Sequence, residues 1–202
     1  MTTTPRKRSN TWQTRDIVIA SVVAVASGLI FWLWTVAIYP ALTAALIVAP
    51  EFQSLFGGGW LIAGVLGGLI VRKPGAAIYC EVLAALIEAI LGTHLGWTVV
   101  ISGIAQGVGA ELIFALFLYR QWNLVVALLA GALSGVAMGV SEVVMYYAAT
   151  MDFPKMVVYT VCGAISGIVV AGLFSWLAMR GIAQTGAVPG LNATDRRRER
   201  AV

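Results

Sequence analysis

The amino-acid sequence predicts an all-α integral membrane protein, a bundle of six transmembrane helices with both termini cytoplasmic. Three observations carry that expectation. The chain is 60% hydrophobic and 11% charged, with a mean hydropathy of +0.90, where soluble domains carry about a quarter charged residues. Its apolar residues fall into six runs separated by short clusters of charged residues, proline and glycine. The basic residues are also sorted: the N-terminus, the connections at Arg72-Lys73 and Arg120, and the C-terminus hold every Lys and Arg except Lys155. Short connections rich in Lys and Arg stay cytoplasmic, so these segments mark the inner face, while Glu51, His94, Asp152 and Lys155 mark the outer one. That sorting accounts for the net charge of +4 without nucleic acid. Spans of about 20 residues each use nearly all of the 202 residues, so no attached soluble domain is expected.

Residues 1–16 form a polar cytoplasmic segment with Arg6, Lys7, Arg8 and Arg15, and the transmembrane domain covers residues 17–180. The first apolar run exceeds a signal-peptide core of about 7 to 15 residues, so it is expected to remain as a helix. It runs from Ile17 to Tyr39, stops at Pro40, and carries Phe31, Trp32, Trp34 and Tyr39 near its far end as an aromatic belt or a site wall. The connection Ala41 to Phe56 contains Pro50, Glu51, Phe52 and Gln53 and reads as a re-entrant or capping loop. After Gly57-Gly58-Gly59 a second span covers Trp60 to Val71, short for a bilayer, and ends at the turn signal Arg72-Lys73-Pro74-Gly75. The third covers Ala76 to Leu91, followed by a turn from Gly92 to Trp97. The fourth covers Thr98 to Tyr119, the fifth Leu124 to Ala149 and the sixth Met156 to Met179. Residues 181–202, with Arg196, Arg197, Arg198 and Arg200, read as a disordered basic cytoplasmic tail. Cys80 and Cys162 sit inside apolar runs without a CxxC partner and read as inert buried thiols.

Five polar residues inside the spans need an explanation: Glu81, Glu88, Gln106, Glu111 and Glu142. Ionisable groups at bilayer depth are costly and face a partner or a cavity. Small residues at four-residue spacing mark faces where membrane helices pack closely. Gly103, Gly107 and Glu111 share such a face, and Glu142 follows the stripe Gly131, Gly135, Gly139, with Tyr146 one turn further. Both acids are therefore expected to point into the bundle. Glu81 and Glu88, seven apart, share one stripe with Ala84 and Ala85 between them. By depth, Glu88, Gln106 and Glu142 fall in the outer half, Glu111 near the middle and Glu81 in the inner half, so the outer three are placed to share a pocket. The bland reading of each acid is a neutral carboxyl bonded to a backbone carbonyl or serine. Trp32 and Trp60 read as interfacial anchors, and His94 as a solvated or capping residue. Scattered Glu and one His define no metal coordination sphere.

No phosphate loop, nucleophile elbow or HExxH motif is present, so no enzyme activity or cofactor is expected, and uphill transport would need an energised partner, a coupled ion or a downhill gradient. Arg72-Lys73-Pro74-Gly75-Ala76-Ala77, followed by Glu81, Glu88, Gln106-Gly107-Val108-Gly109-Ala110-Glu111 and Phe114-Ala115, closely resembles the YkoE family. Its members are substrate-binding S components of energy-coupling factor (ECF) transporters for thiamine or its hydroxymethylpyrimidine precursor. The resemblance covers most of the chain. It implies a multi-pass protein of a bacterial-type cytoplasmic membrane, which binds the vitamin from outside. It also implies docking on a transmembrane T component driven by two cytoplasmic ATPase subunits, through Ala20, Ala24 and Gly28 on the first helix.

Thiamine joins a thiazolium cation to an aminopyrimidine. Carboxylates attract the cation, aromatic faces add roughly 0.5 to 2 kcal/mol, and a carboxylate accepts from the exocyclic amine. On that basis Glu111 and Glu142 are assigned as the main acidic contacts, Glu88 and Gln106 as hydrogen-bonding partners, and Trp34, Trp97 and Tyr146 as stacking residues. Two other classes stay open at this point: a stand-alone ion- or proton-coupled carrier of a small cation, and an interaction protein whose acids only pack.

Overall fold

The structure, a computed structural model, describes residues 11–186 together with Val188 and Leu191. Arg6, Lys7 and Arg8, and most of the expected basic tail, lie outside the described residues. Among the described residues every regular element is helical. Helix α1 spans Thr14–Leu46, α2 Pro50–Val71, α3 Ala76–Leu91, α4 Thr98–Leu116, α5 Leu124–Tyr147 and α6 Phe153–Thr185. Five of these are long and apolar enough to cross a membrane, whereas α3 has only 16 residues.

Pro40 is expected to end the first span, yet α1 continues to Leu46. Proline lacks an N–H and its ring collides with the carbonyl four residues back. The helix absorbs this in a π turn over Trp34–Ile38, where the Tyr39 N–H bonds to the Trp34 carbonyl five residues back. The expected loop to Phe56 shrinks in turn. Helix α2 begins at Pro50 in the 3-10 conformation, which runs to Leu61 before α-helix takes over at Ile62. Such a run is long for 3-10 geometry, and its glycines explain it. A Cβ on Gly57 would strike Met138, on Gly58 Ser166 and Val170, and on Gly59 the indole of Trp34. Ser166 then ties the segment down, accepting from the Gly58 N–H at 2.9 Å and donating to the Leu55 carbonyl at 2.6 Å.

These contacts put α2 at the centre. Its apolar window is 83% buried against 28% for α1, and α1, α3, α4, α5 and α6 pack around it in that order. Leu61, Val65 and Leu69 of α2 form the core with Ala110, Phe114, Ala130 and Ala171. Lipid provides no hydrophobic force between helices, so close approach of small residues holds the arc together. On α5, Gly131 faces Gly167, Gly135 faces Gly163 and Gly139 faces Thr160, in each case across backbone that cannot retreat from a Cβ. A Gly135→Ala variant is therefore expected to lower the thermal midpoint in detergent by roughly 5 °C or more. Gly181→Ala, where an added Cβ meets nothing within 4 Å, should leave it unchanged or slightly higher.

The stripe expected to dock on a partner faces the inside of this chain. Ala20, Ala24 and Gly28 are buried: the Cys80 thiol donates to the Ala20 carbonyl at 3.5 Å, and a Cβ on Gly28 would meet Ala84 and Ile87. Their small size serves the α1–α3 crossing. The exposed face of α1 consists instead of Val18, Val22, Val25 and Leu29.

Candidate functional site

Two of the four carboxylates inside the helical bundle, Glu81 and Glu111, complete helix starts. The first N–H groups of a helix have no partner within it, and α3 begins after Gly75 (φ 83°) with no side-chain cap of its own. Glu111 supplies one from α4, its Oε1 accepting from the Gly75 N–H at 2.6 Å and its Oε2 from the Ala77 N–H at 2.9 Å. The Tyr119 hydroxyl also donates to Oε1 at 2.8 Å. Burial, and then the neighbouring Glu111, push that hydroxyl up to about 12, so it remains a donor. Glu81 does the same inside the bundle: its Oε2 accepts from the Gly64 N–H at 2.5 Å, in the first turn of the α-helical part of α2.

Glu111, assigned from the sequence as a main acidic contact, thus lies outside the pocket described next. Helix α4 ends at Leu116, earlier than expected, and the chain turns through left-handed Leu118 and Tyr119 (φ 53° and 54°). That brings Glu111 to the end of the bundle bearing Gly75, rather than to its middle.

The other two acids converge. Glu88, Gln106, Glu142 and Tyr146 line one pocket of about 370 Å³ including its mouth, together with Phe31, Trp60, Ala85, Leu95, Val99 and Ser102. On α4, Val99, Ser102 and Gln106 share a face at helical spacing, and Glu142 and Tyr146 are one turn apart on α5. Gly103 against Ala85, and Gly107 against Ile78 and Glu81, let α4 lie close to α3. The polar faces of the two helices therefore meet at the pocket.

Its carboxylates are each held from one side. The Thr35 hydroxyl donates to Glu88 Oε1 at 2.5 Å, and Trp60 Nε1 donates to Thr35 Oγ1 at 2.8 Å. Tyr159 donates to Glu142 Oε2 at 2.6 Å and packs on Tyr147 with ring centroids 5.1 Å apart. The Tyr146 hydroxyl donates to Thr98 Oγ1 at 2.6 Å. The other oxygen of Glu142 and the side-chain amide of Gln106 make no hydrogen bond among the described residues, whereas Glu88 has Trp60 beside Thr35 as a second side-chain partner. The arrangement suits a small, flat molecule that carries positive charge or N–H donors.

The remaining aromatic assignments separate. Trp34 donates to the Phe56 carbonyl at 2.9 Å and packs on Gly59, away from the pocket. Trp97 is 67% exposed on the α3–α4 turn and does not line it either. Trp60, read from the sequence as an interfacial anchor, lines the pocket and packs on Tyr39 in a tilted arrangement, with ring centroids 4.6 Å apart. Phe31, read from the sequence as part of an aromatic belt or a site wall, lines the pocket, whereas sequence reasoning missed Ser102, Thr35 and Tyr159. Faint signals existed: Ser102 is one turn before Gln106, Thr35 one turn after Phe31, and Tyr159 is a hydroxyl within an apolar run.

Residues 15–137 match the family model of the ABC-type cobalt transport system, permease component. The chain is 30% identical over 180 residues to the putative HMP/thiamine permease protein YkoE of Bacillus subtilis (strain 168), an alignment covering 89% of each chain. It is also similar to a solved structure, the crystal structure of an S-component of an ECF transporter, with a TM-score of 0.84 and 31% identity over 95% of this chain and 97% of that one. These relatives are transport components, not enzymes.

Proposed function

The chain belongs to the YkoE family of permease components, and on that premise we propose that it captures thiamine or its hydroxymethylpyrimidine precursor for uptake by an ECF transporter. It has the S-component fold and several apolar helices that embed it in a membrane. One observation supports the choice of ligand: two carboxylates and a free amide share a pocket with the rings of Phe31, Trp60 and Tyr146. Glu142 and Tyr146 suit the thiazolium, by charge and by cation–π contact of roughly 0.5 to 2 kcal/mol. Glu88 and Gln106 suit the aminopyrimidine edge.

In this reading α3 completes a sixth span, both termini are cytoplasmic, and the pocket opens to the exterior of a bacterial cytoplasmic membrane. Lys and Arg cluster at the ends opposite the pocket, consistent with that orientation. The chain has no phosphate loop, so a T component and two cytoplasmic ATPase subunits provide the drive. Thermal unfolding of the purified chain with thiamine, hydroxymethylpyrimidine or divalent metals tests the proposal. At a concentration of about 100 Kd a ligand adds about 2.7 kcal/mol, so thiamine or the pyrimidine should raise the midpoint by several degrees. Stabilisation by metals alone would overturn it, and concentrative uptake by the chain alone in ATP-free liposomes would mark a coupled carrier instead.

A further inference from the structure

Glu142 is held in the pocket by a neighbour that does not line it. Gly139, one turn before Glu142, lets α6 lie close against α5, since a Cβ there would meet the Thr160 Cα at 2.7 Å. Tyr159, next to Thr160, is thereby near enough for its hydroxyl to donate to Glu142 Oε2 at 2.6 Å. The tyrosine is itself fixed: it is 1% exposed, its carbonyl accepts from the Ser54 hydroxyl at 2.5 Å, and its ring packs on Tyr147. The hydroxyls of Tyr39 and Tyr147 approach Tyr159 rather than Glu142, so neither takes its place. Among the described residues, Tyr159 is the one hydrogen-bond partner of the Glu142 side chain.

We infer that Tyr159 is a positioning residue that keeps the Glu142 carboxyl at the pocket wall, where it seats the thiazolium cation of thiamine. The inference rests on the thiamine or hydroxymethylpyrimidine reading and names the group that makes its cation recognition work. A glutamate side chain samples several rotamers, and anchoring one of its oxygens leaves the other a narrow range of positions. That holds whether or not Glu142 carries a proton, because either form accepts from the tyrosine. Attraction between charges falls with their separation. A carboxylate free to swing away therefore loses its grip on a cation, whereas a neutral pyrimidine has little to lose.

Titration calorimetry of the full-length chain with thiamine and with hydroxymethylpyrimidine tests this. Tyr159→Phe, which keeps the ring and removes the hydroxyl, should weaken thiamine by about 10-fold or more and the pyrimidine by less than about 3-fold. In a Glu142→Ala background no carboxyl is left to hold, so adding Tyr159→Phe should change thiamine affinity by less than about 3-fold. A tyrosine that only supports the fold would weaken both ligands alike, and its full effect would add to that of Glu142→Ala. Either result overturns the inference. Should Tyr159→Phe alone not fold, comparing the double variant with Glu142→Ala remains decisive. Failure of both thiamine and hydroxymethylpyrimidine to bind the wild type would instead remove the functional reading beneath it.

Discussion

Replacing Glu142 by alanine should weaken thiamine binding by about 30-fold or more, while the neutral hydroxymethylpyrimidine loses less than about 10-fold. Truncating one member of a buried, hydrogen-bonded charge pair costs about 2 to 5 kcal/mol, and every 1.4 kcal/mol is about tenfold in affinity. Glu142 has one oxygen held by Tyr159 at 2.6 Å and lines the pocket with the other uncommitted. The permanent cation of thiamine is the group that would lose its partner, and the pyrimidine alone has none to lose. Calorimetry with both compounds reads the difference, and equal losses for the two would place the cation elsewhere.

Glu111→Ala should do the reverse, lowering the thermal midpoint by about 5 to 15 °C while thiamine affinity stays within about threefold. The variant strands the Gly75 and Ala77 N–H groups and the Tyr119 hydroxyl. Each buried donor left unpaired costs about 1 to 3 kcal/mol, and 1 kcal/mol corresponds to about 2 to 4 °C in a chain of this size. Paired melting and binding curves separate the two roles. A sharp loss of affinity with an unchanged midpoint would return Glu111 to the ligand.

The contrast between these two residues shows what was legible before folding. Glu88, Gln106 and Glu142 group together by depth alone, because alternating spans and the Lys/Arg bias fix how far along each helix a residue lies. Glu111 has the same chemistry and the same glycine-faced setting, and its role depends on something depth cannot supply: an uncapped helix start across the bundle. The clue was Gly75-Ala76-Ala77, a start with no Ser, Thr, Asp or Asn to cap it. Pro40 and the Gly57–Gly59 run were misleading for a different reason. Their local meaning is a stop and a loop, but a π turn absorbs the proline and the glycines make room for neighbouring side chains. The stripe Ala20, Ala24, Gly28 was legible as a packing face, though not as to which neighbour it meets.

The borrowed cap on α3 also bears on how the chain is built. This helix has 16 residues, carries Glu81 and Glu88, and leaves its first N–H groups to a carboxylate on α4. An acidic residue at mid-helix costs about 2.5 to 3.5 kcal/mol on insertion scales, so on its own α3 is poorly suited to an apolar environment. Once α4 follows, Glu111 satisfies the start of α3 and the glycines of α4 cover its polar stripe. The two helices thus complete each other as a hairpin that carries Ala85, Glu88, Val99, Ser102 and Gln106 of the pocket, to which α5 adds Glu142 and Tyr146.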